Sequence, residues 1–484
     1  MARLVSYPKL TKCHAPDGLS PGIAAGHPAT AQAGFEVLED GGTAADAAVG
    51  AALASCVAET VMTGIAGGGH AAWVDGSSGE VRLLDFFVTV PGLGETPREV
   101  ELLDIGVPFG TELVHYAVGI ASCAVPGVPA GLHELWSRYG RLPWKRLVEP
   151  ALALARSGVE MPPAHAACLA MLSPVMTMRE GARIYSPAGR LLETGDRLDQ
   201  PGLARTLELL RDEGARSFYD GSLAEALLEL MAERGGLVTR RDLDEYEPLW
   251  VDPVVSDYLG HRVLTRSGLT TPLGTLLAEL PRLRDLSPVE RALTLARVLV
   301  ALPYSGEPEP LGDTTNLVTA DADGNACVVT TSLGLGSGDY LPGLDVHLNS
   351  MLGEADLLRN PLEPGGRMES MMSPTIMLAD DGPAFAAGAA GGTRLRPALV
   401  QVLAGILDEG LEPQAAVDRP RLHSTGTLVH LEPGFPDDAV RALEAEYDVR
   451  RWSARHHYFG GVSLIARSGG AADPRRSGAA RTLP

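Results

Sequence analysis

The chain has 484 residues, 45% of them apolar and 21% charged, and a formal net charge of −21. That length can bury a large core, and the ordinary balance of apolar and charged residues excludes a wholly disordered or fibrous chain. The acidic surplus argues against a nucleic-acid partner, which needs a basic footprint, and favours solubility. Aromatic residues are only 5%, so the core rests on Ala, Leu and Val.

In chain order, GIAAG (22–26) reads as a strand. A helix follows from about His27, with Ala31, Ala33, Phe35 and Leu38 on its apolar positions and Gly41-Gly42 as its stop. From Thr43 to about Val61 the sequence is Ala-rich on nearly all faces, as an interior helix is. Asp46, Glu59 and the many small residues argue against a membrane span there. The run Gly67-Gly68-Gly69 leads into a strand at 70–74 and lacks the GxGxxG and GK(S/T) patterns. Close backbone packing is therefore the better reading than a phosphate loop. Residues 79–92 read as a strand pair or a strand and loop. Helices are expected from Pro129 to Tyr139 and from Trp144 to Arg156. Leucine spacing extends the helical reading through 199–250 and 271–302.

SGEPEPLGD (305–313) is the clearest break. After it, Leu317–Ala320 and Ala326–Thr331 flank DADGN, which supplies turn chemistry for a β-hairpin. Gly-rich loops are expected at 334–338 and 388–392, a helix from about Pro397 to Glu409, and a frayed basic tail from 468 onward. The adjacent His456 and His457 read as solvated surface residues rather than metal ligands. Five scattered cysteines (13, 56, 123, 168 and 327) form no CxxC pair. They suit a reduced cytoplasmic setting, and the N-terminal stretch shows no signal-peptide h-region.

Candidate chemistry centres on Asp313-Thr314. A threonine at the start of a strand is usually just a β-former. Freed as a new N-terminus, however, it supplies both a nucleophilic hydroxyl and a base, since an α-amine has an ordinary pKa of about 7.7–8.0. The segments HPATAQAGFEVLEDGGTAADAAVGAALA (27–54), GIAGGGH (64–70), VPGVPAGLHELWSRYGRLPWKRLVEPALALARSG (125–158), DTTNLVTADADGNACVVTTSLG (313–334), MMSPTIM (371–377) and GAAGGTR (388–394), closed by DRPRLH (418–423) and LEPGF (431–435), occur in one order. Together they resemble the gamma-glutamyltransferase (gamma-glutamyltranspeptidase) family of N-terminal nucleophile hydrolases over nearly the whole chain.

By that resemblance, Thr314 matches the nucleophile and Ser332 a second hydroxyl that bonds it and aids processing. Gly391 and Gly392 match the oxyanion-hole pair, whose N–H groups stabilise charge that appears only in the transition state. Ser370 and Glu354 match substrate-binding positions. There are departures. Phe87 replaces the arginine of the DxRExxP pattern that clamps a substrate carboxylate, so a charge-assisted pair is missing there. Met351 and Met371 replace polar residues, Gly334 an asparagine, and the TTH motif continues as Asn316. Arg394 is a candidate source of replacement positive charge.

The resemblance implies an α+β fold, a four-layer αββα sandwich. It implies a large subunit (1–313) and a small one (314–484), interleaved after self-cleavage and open to further homo-oligomerisation. No cofactor or metal is implied, and the partner is a small-molecule amide or peptide, with no nucleic acid and no membrane. Gamma-glutamyl amides of the glutathione type are the expected substrates. The alternatives are an acylase or unusual-bond hydrolase of a natural-product pathway, favoured by Phe87, and an uncleaved non-catalytic homologue.

Overall fold

The computed structural model describes residues 18–483 except 97–98, 101, 110–111, 270–271, 301–313, 359–360 and 427. The expected break at 305–313, with Asp313, lies outside the described residues. Two antiparallel sheets face each other. The first contains β1 (Gly22–Ala25), β2 (Gly68–Val74), β3 (Val81–Phe86) and β4 (Leu249–Val251). The second begins with β5 (Val254–Tyr258) and β6 (His261–Thr265). The hairpin β7 (Thr315–Ala320) and β8 (Ala326–Ser332) returns to the first sheet. The second adds β9 (Thr375–Ala379), β10 (Gly382–Ala390), β11 (Gly461–Ala466) and β12 (Gly469–Ala472), and β13 (Ala479–Thr482) completes the first. Strand order is β13-β1-β7-β8-β2-β3-β4 in one sheet and β12-β11-β10-β9-β6-β5 in the other.

Side-chain alternation explains the layering. Ala72, Val74, Leu83, Val318 and Val328 point toward the second sheet and meet Leu264, Ile376, Ala386 and Ile465. Their neighbours Ala71, Trp73, Leu84, Leu317 and Val329 point the other way, under helices α1 (Pro28–Glu39), α2 (Ala44–Ala58), α3 (Val128–Tyr139) and α4 (Trp144–Ser157). The outer face of the second sheet is covered by α5 (Pro288–Val300), α6 (Leu395–Leu407) and α7 (Asp437–Glu446). The result is the four-layer αββα sandwich.

Every residue of α2 is buried. Its small side chains let it lie between α1, α4 and the sheet, and Thr43 caps it in a reciprocal box with Asp46. Among the described residues no helix is long and apolar enough to cross a membrane.

Several expectations need correction. Gly68 and Gly69 are part of β2, not a loop before it, because a Cβ on Gly69 would stand 2.4 Å from Thr330 O. The close-packing reading of the glycine run is right. Residues 199–250 break into the helices Pro201–Glu213, Ser222–Arg234 and Arg240–Asp244, and end in β4. Residues 271–302 hold two helices, Leu273–Ala278 and Pro288–Val300. Gly388 lies within β10 against Asn316, where a side chain would not fit. The basic tail is not frayed: it supplies an edge strand to each sheet, and Arg475 and Arg476 are buried. Turn residues and exposed-looking charges disguised it, since its strands are short and pair only with distant partners. His457 is buried and His456 packs on Trp452 with ring centroids 4.7 Å apart, so this pair is not a solvated one. Cys56, Cys123, Cys168 and Cys327 are free and buried, and Cys13 lies outside the described residues.

Candidate active site

Thr314 stands immediately before β7 and is 4% exposed. The hairpin register pairs Thr315 with Thr331, so the next position outward sets Thr314 across from Ser332. Helix α2 fixes this strand at both ends. At the far end, Thr319 Oγ1 donates to Ala44 O at 2.7 Å, and the turn residue Asp321 accepts from Ala44 N at 2.8 Å. At the near end, Thr315 Oγ1 donates to Glu59, the residue that caps the C-terminus of α2. Fifteen helical residues rise about 22 Å, and six strand residues about 20 Å, so one helix spans the strand.

A small cavity adjoins Thr314. Glu59 and Met62 line it from the helix side, Ala390, Gly461 and Ser463 from the second sheet, and Asp473 and Arg476 from the C-terminal segment. The Glu59 carboxyl also accepts from Thr30 Oγ1 at 2.6 Å. Burial pushes it up to about 7, while the two threonine hydroxyls and Arg476 restrain the shift. Gly26 makes room for it: a Cβ there would lie 2.7 Å from Glu59 Oε2. Glycines at 391 and 461 make room for Arg476, whose Nη2 would be 3.2 Å from a Cβ on Gly391.

Gly391 and Gly392 follow Ala390 at the end of β10 and have φ of +124° and +55°, values that favour glycine. They open the turn into α6, where amide N–H groups precede the helical ladder and are suited to an anion.

The segment carrying Arg476 is fixed by buried ion pairs. Asp473 Oδ2 meets Arg421 Nη2 at 2.6 Å, Asp473 Oδ1 meets Arg475 Nη1 at 3.2 Å, and Arg475 Nε donates to Glu432 at 2.7 Å. Burial alone would raise the Asp473 carboxyl, but the two arginines hold it below the usual range. DRPRLH, LEPGF and the tail thus meet in one network.

The remaining expected site residues lie outside the lining of this cavity. Ser332 Oγ accepts from Gly334 N at 2.9 Å. Glu354 Oε1 accepts from Leu335 N at 3.0 Å and from Ser350 Oγ at 3.2 Å. A Cβ on Gly334 would stand 2.4 Å from that oxygen, so the glycine and the glutamate occupy complementary space. Ser370 Oγ accepts from Met372 N at 3.1 Å. Phe87 is buried, and its ring stacks on His70. Arg394 is buried, bonds Tyr458 O at 3.2 Å and lies over the Tyr458 ring. The cation at the Thr314 cavity is Arg476 rather than Arg394. Sequence reasoning missed Glu59, Asp473 and Arg476. The available signal was an acid, Glu59, directly after an Ala-rich helix whose one other charge is its capping Asp46, and a DPRR motif read as tail.

Two facing sheets between helical layers, with a hydroxyl residue heading a central strand, define an N-terminal nucleophile hydrolase fold. A cephalosporin acylase from Bacillus halodurans shares it with a TM-score of 0.78 and 25% identity, over 100% of this chain and 99% of that one. The sequence profile of gamma-glutamyltranspeptidase matches residues 30–287 and 297–483, and the chain belongs to that family. Among curated relatives, the acylase ACY 1 proenzyme of Pseudomonas sp. (strain V22) is 29% identical, covering 87% of this chain and 86% of its own length. The glutathione hydrolase proenzyme of Bacillus subtilis (strain 168) is 27% identical, with 87% and 84% covered. Together these support an enzyme of related amide hydrolysis.

Proposed function

We propose that the chain cuts itself between Asp313 and Thr314, and that Thr314 then carries acyl groups from amides to water or to an amine. The reading is carried by one observation: buried Thr314 heads β7 across from Ser332, on a cavity shared with Glu59 and Arg476. In the first step Thr314 Oγ attacks the Asp313 carbonyl, the peptide nitrogen leaves as the new α-amine, and water hydrolyses the resulting ester. In turnover the α-amine takes the Oγ proton as Oγ attacks the substrate carbonyl, then gives it to the departing amine. The N–H groups of Gly391 and Gly392 hold the oxyanion, and Ser332 orients the nucleophile. An ester remains until water or a second amine displaces it.

Gamma-glutamyl amides are the first substrate class to test. Phe87, stacked on His70, favours a second reading, an acylase for other amides. The four described cysteines are free and buried, which fits a cytoplasmic setting.

Intact mass spectrometry tests the chemistry. Wild-type protein is expected as two chains with threonine at the new N-terminus, and Thr314→Ala as one. Incubation with γ-glutamyl p-nitroanilide and with N-acyl anilides shows which acyl group adds to the 314–484 chain. A single uncut wild-type chain, with any turnover unchanged by Thr314→Ala, would overturn the proposal and favour the non-catalytic homologue.

A further inference from the structure

A second cluster of charged and aromatic side chains lies outside the Thr314 cavity. His70 and Asp85 are register partners on β2 and β3. His70 is also opposite Thr330, and Thr330 opposite Asn316, so one row runs across the sheet to the strand that Thr314 heads. Arg266 follows β6 of the facing sheet, and Arg367 precedes β9. Arg266 Nη2 is 4.0 Å and Arg367 Nε 3.7 Å from the Asp85 carboxylate. Arg266 is mostly buried, yet 12% of its side chain is open, and its Nη1 donates to Ser370 O at 2.6 Å.

Two observations point to a ligand. His70 is 1% exposed, and neither ring nitrogen has a hydrogen-bond partner among the described residues. Asp85 Oδ1 is 3.5 Å from its Nδ1, and the ring lies on Phe87 with centroids 5.5 Å apart. Buried imidazole nitrogens left unbonded are costly, so a partner is called for. Burial, with Arg266 and Arg367 nearby, holds His70 neutral, with one N–H to donate. Second, Arg266 and Arg396 converge: a Cβ on Gly268 would lie 3.0 Å from Arg266 Nη1 and 2.8 Å from Arg396 Nη2. Asp85 and the exposed Glu369 are the carboxylates acting on Arg266. Adjoining buried cations are eased by a further anion.

We propose that Arg266 and His70, backed by the Phe87 ring, receive a carboxylate on the acyl half of the substrate. This deepens the Thr314 reading and rests on it. The guanidinium supplies a charged fork, the imidazole one further donor, and Phe87 an apolar wall for the methylenes between carboxylate and scissile carbonyl. The cation thus arrives from the facing sheet rather than from position 87.

Glutaryl p-nitroanilide and its neutral ω-amide analogue differ only in the distal carboxylate. Wild-type protein should favour the carboxylate in kcat/KM by about thirtyfold or more, a threshold well below what a site built around a buried polar contact can reach. Arg266→Gln should shrink that ratio to within about threefold, chiefly through KM, and Arg266→Lys should restore part of it. His70→Phe should lower it less. Calorimetric titration with glutarate against glutaramide reads the receptor without turnover, and Arg266→Lys covers the case in which Arg266→Gln does not fold. No preference in the wild type, or an equal preference in the Arg266 variants, overturns the proposal. Glutarate binding that depends on Arg266, in protein that never acylates Thr314, instead overturns the nucleophile reading.

Discussion

Glu59 is the residue at which burial and chemistry most visibly compete. Its carboxyl is removed from water, yet it takes hydrogen bonds from Thr30 and Thr315 beside the Thr314 cavity. Burial raises it from an ordinary 4.5 to about 7. A raised carboxyl stabilises the fold fully below the unfolded value, and that contribution is lost as pH rises through the folded one. Between about pH 5 and pH 8 Glu59 should therefore cost the fold about 3 kcal/mol. Buried His27 and His165, lowered to about 4 and about 3, act oppositely by destabilising the fold in acid. Comparison with Glu59→Gln isolates the carboxyl: the variant should lose less stability than wild type between pH 5 and pH 8 in thermal melts. Parallel pH profiles for the two proteins would rule this out. Scission of the Glu59→Gln precursor, followed by electrophoresis over the same range, should also depend less on pH, because the group beside Thr315 no longer changes charge.

The legible elements were those whose signals are local. Helices α1 to α4 followed from apolar spacing, Ala-richness and Gly or Pro punctuation, and the β7–β8 hairpin from DADGN between two β-rich runs. Thr314, Ser332 and the two glycines became candidates through the ordered motifs. Less legible was anything resting on contacts distant in sequence: the short edge strands, the placement of Arg266 beside Asp85, and Glu59 below Thr315. Asp321 joins the two kinds. It looks like a turn residue, and it does accept from Asp323 N and Asn325 N at 3.0 Å each. It also accepts from Ala44 N at the start of α2, which sequence alone gave no reason to expect. Asp321→Ala leaves that buried N–H without its acceptor and should destabilise the protein by about 1–3 kcal/mol. Asp321→Asn, which keeps an acceptor oxygen, should cost less. Denaturant midpoints measure both, and equal midpoints for wild type and Asp321→Ala would show that the turn does not hold the helix.

On the scale of the whole molecule, the C-terminal segment joins the two sheets. Strand β12 pairs with β11 in one sheet and β13 with β1 in the other, so residues 469–482 pass across the edge of the sandwich. Between these strands lie Asp473, Arg475 and Arg476. The Asp473 pairs with Arg421 and Arg475 are nearly inaccessible, with side-chain exposures of 2% or less. A buried ion pair is weak evidence for net stability, but removing one partner strands the other, at about 3–5 kcal/mol. Asp473→Asn should incur most of that cost, because Arg421 and Arg475 lose a shared counter-charge while Glu432 still holds Arg475. The consequence should be local before it is global. Backbone amides of β12 and β13 should exchange hydrogen faster in Asp473→Asn, while those of central β9 and β10 stay protected. Because Arg476 belongs to the same segment, the loosened protein should also self-cleave more slowly than wild type. A tail held only by its strand pairing would instead show unchanged exchange at 469–482 in this variant, and hydrogen-exchange mass spectrometry of the intact chain distinguishes the two outcomes.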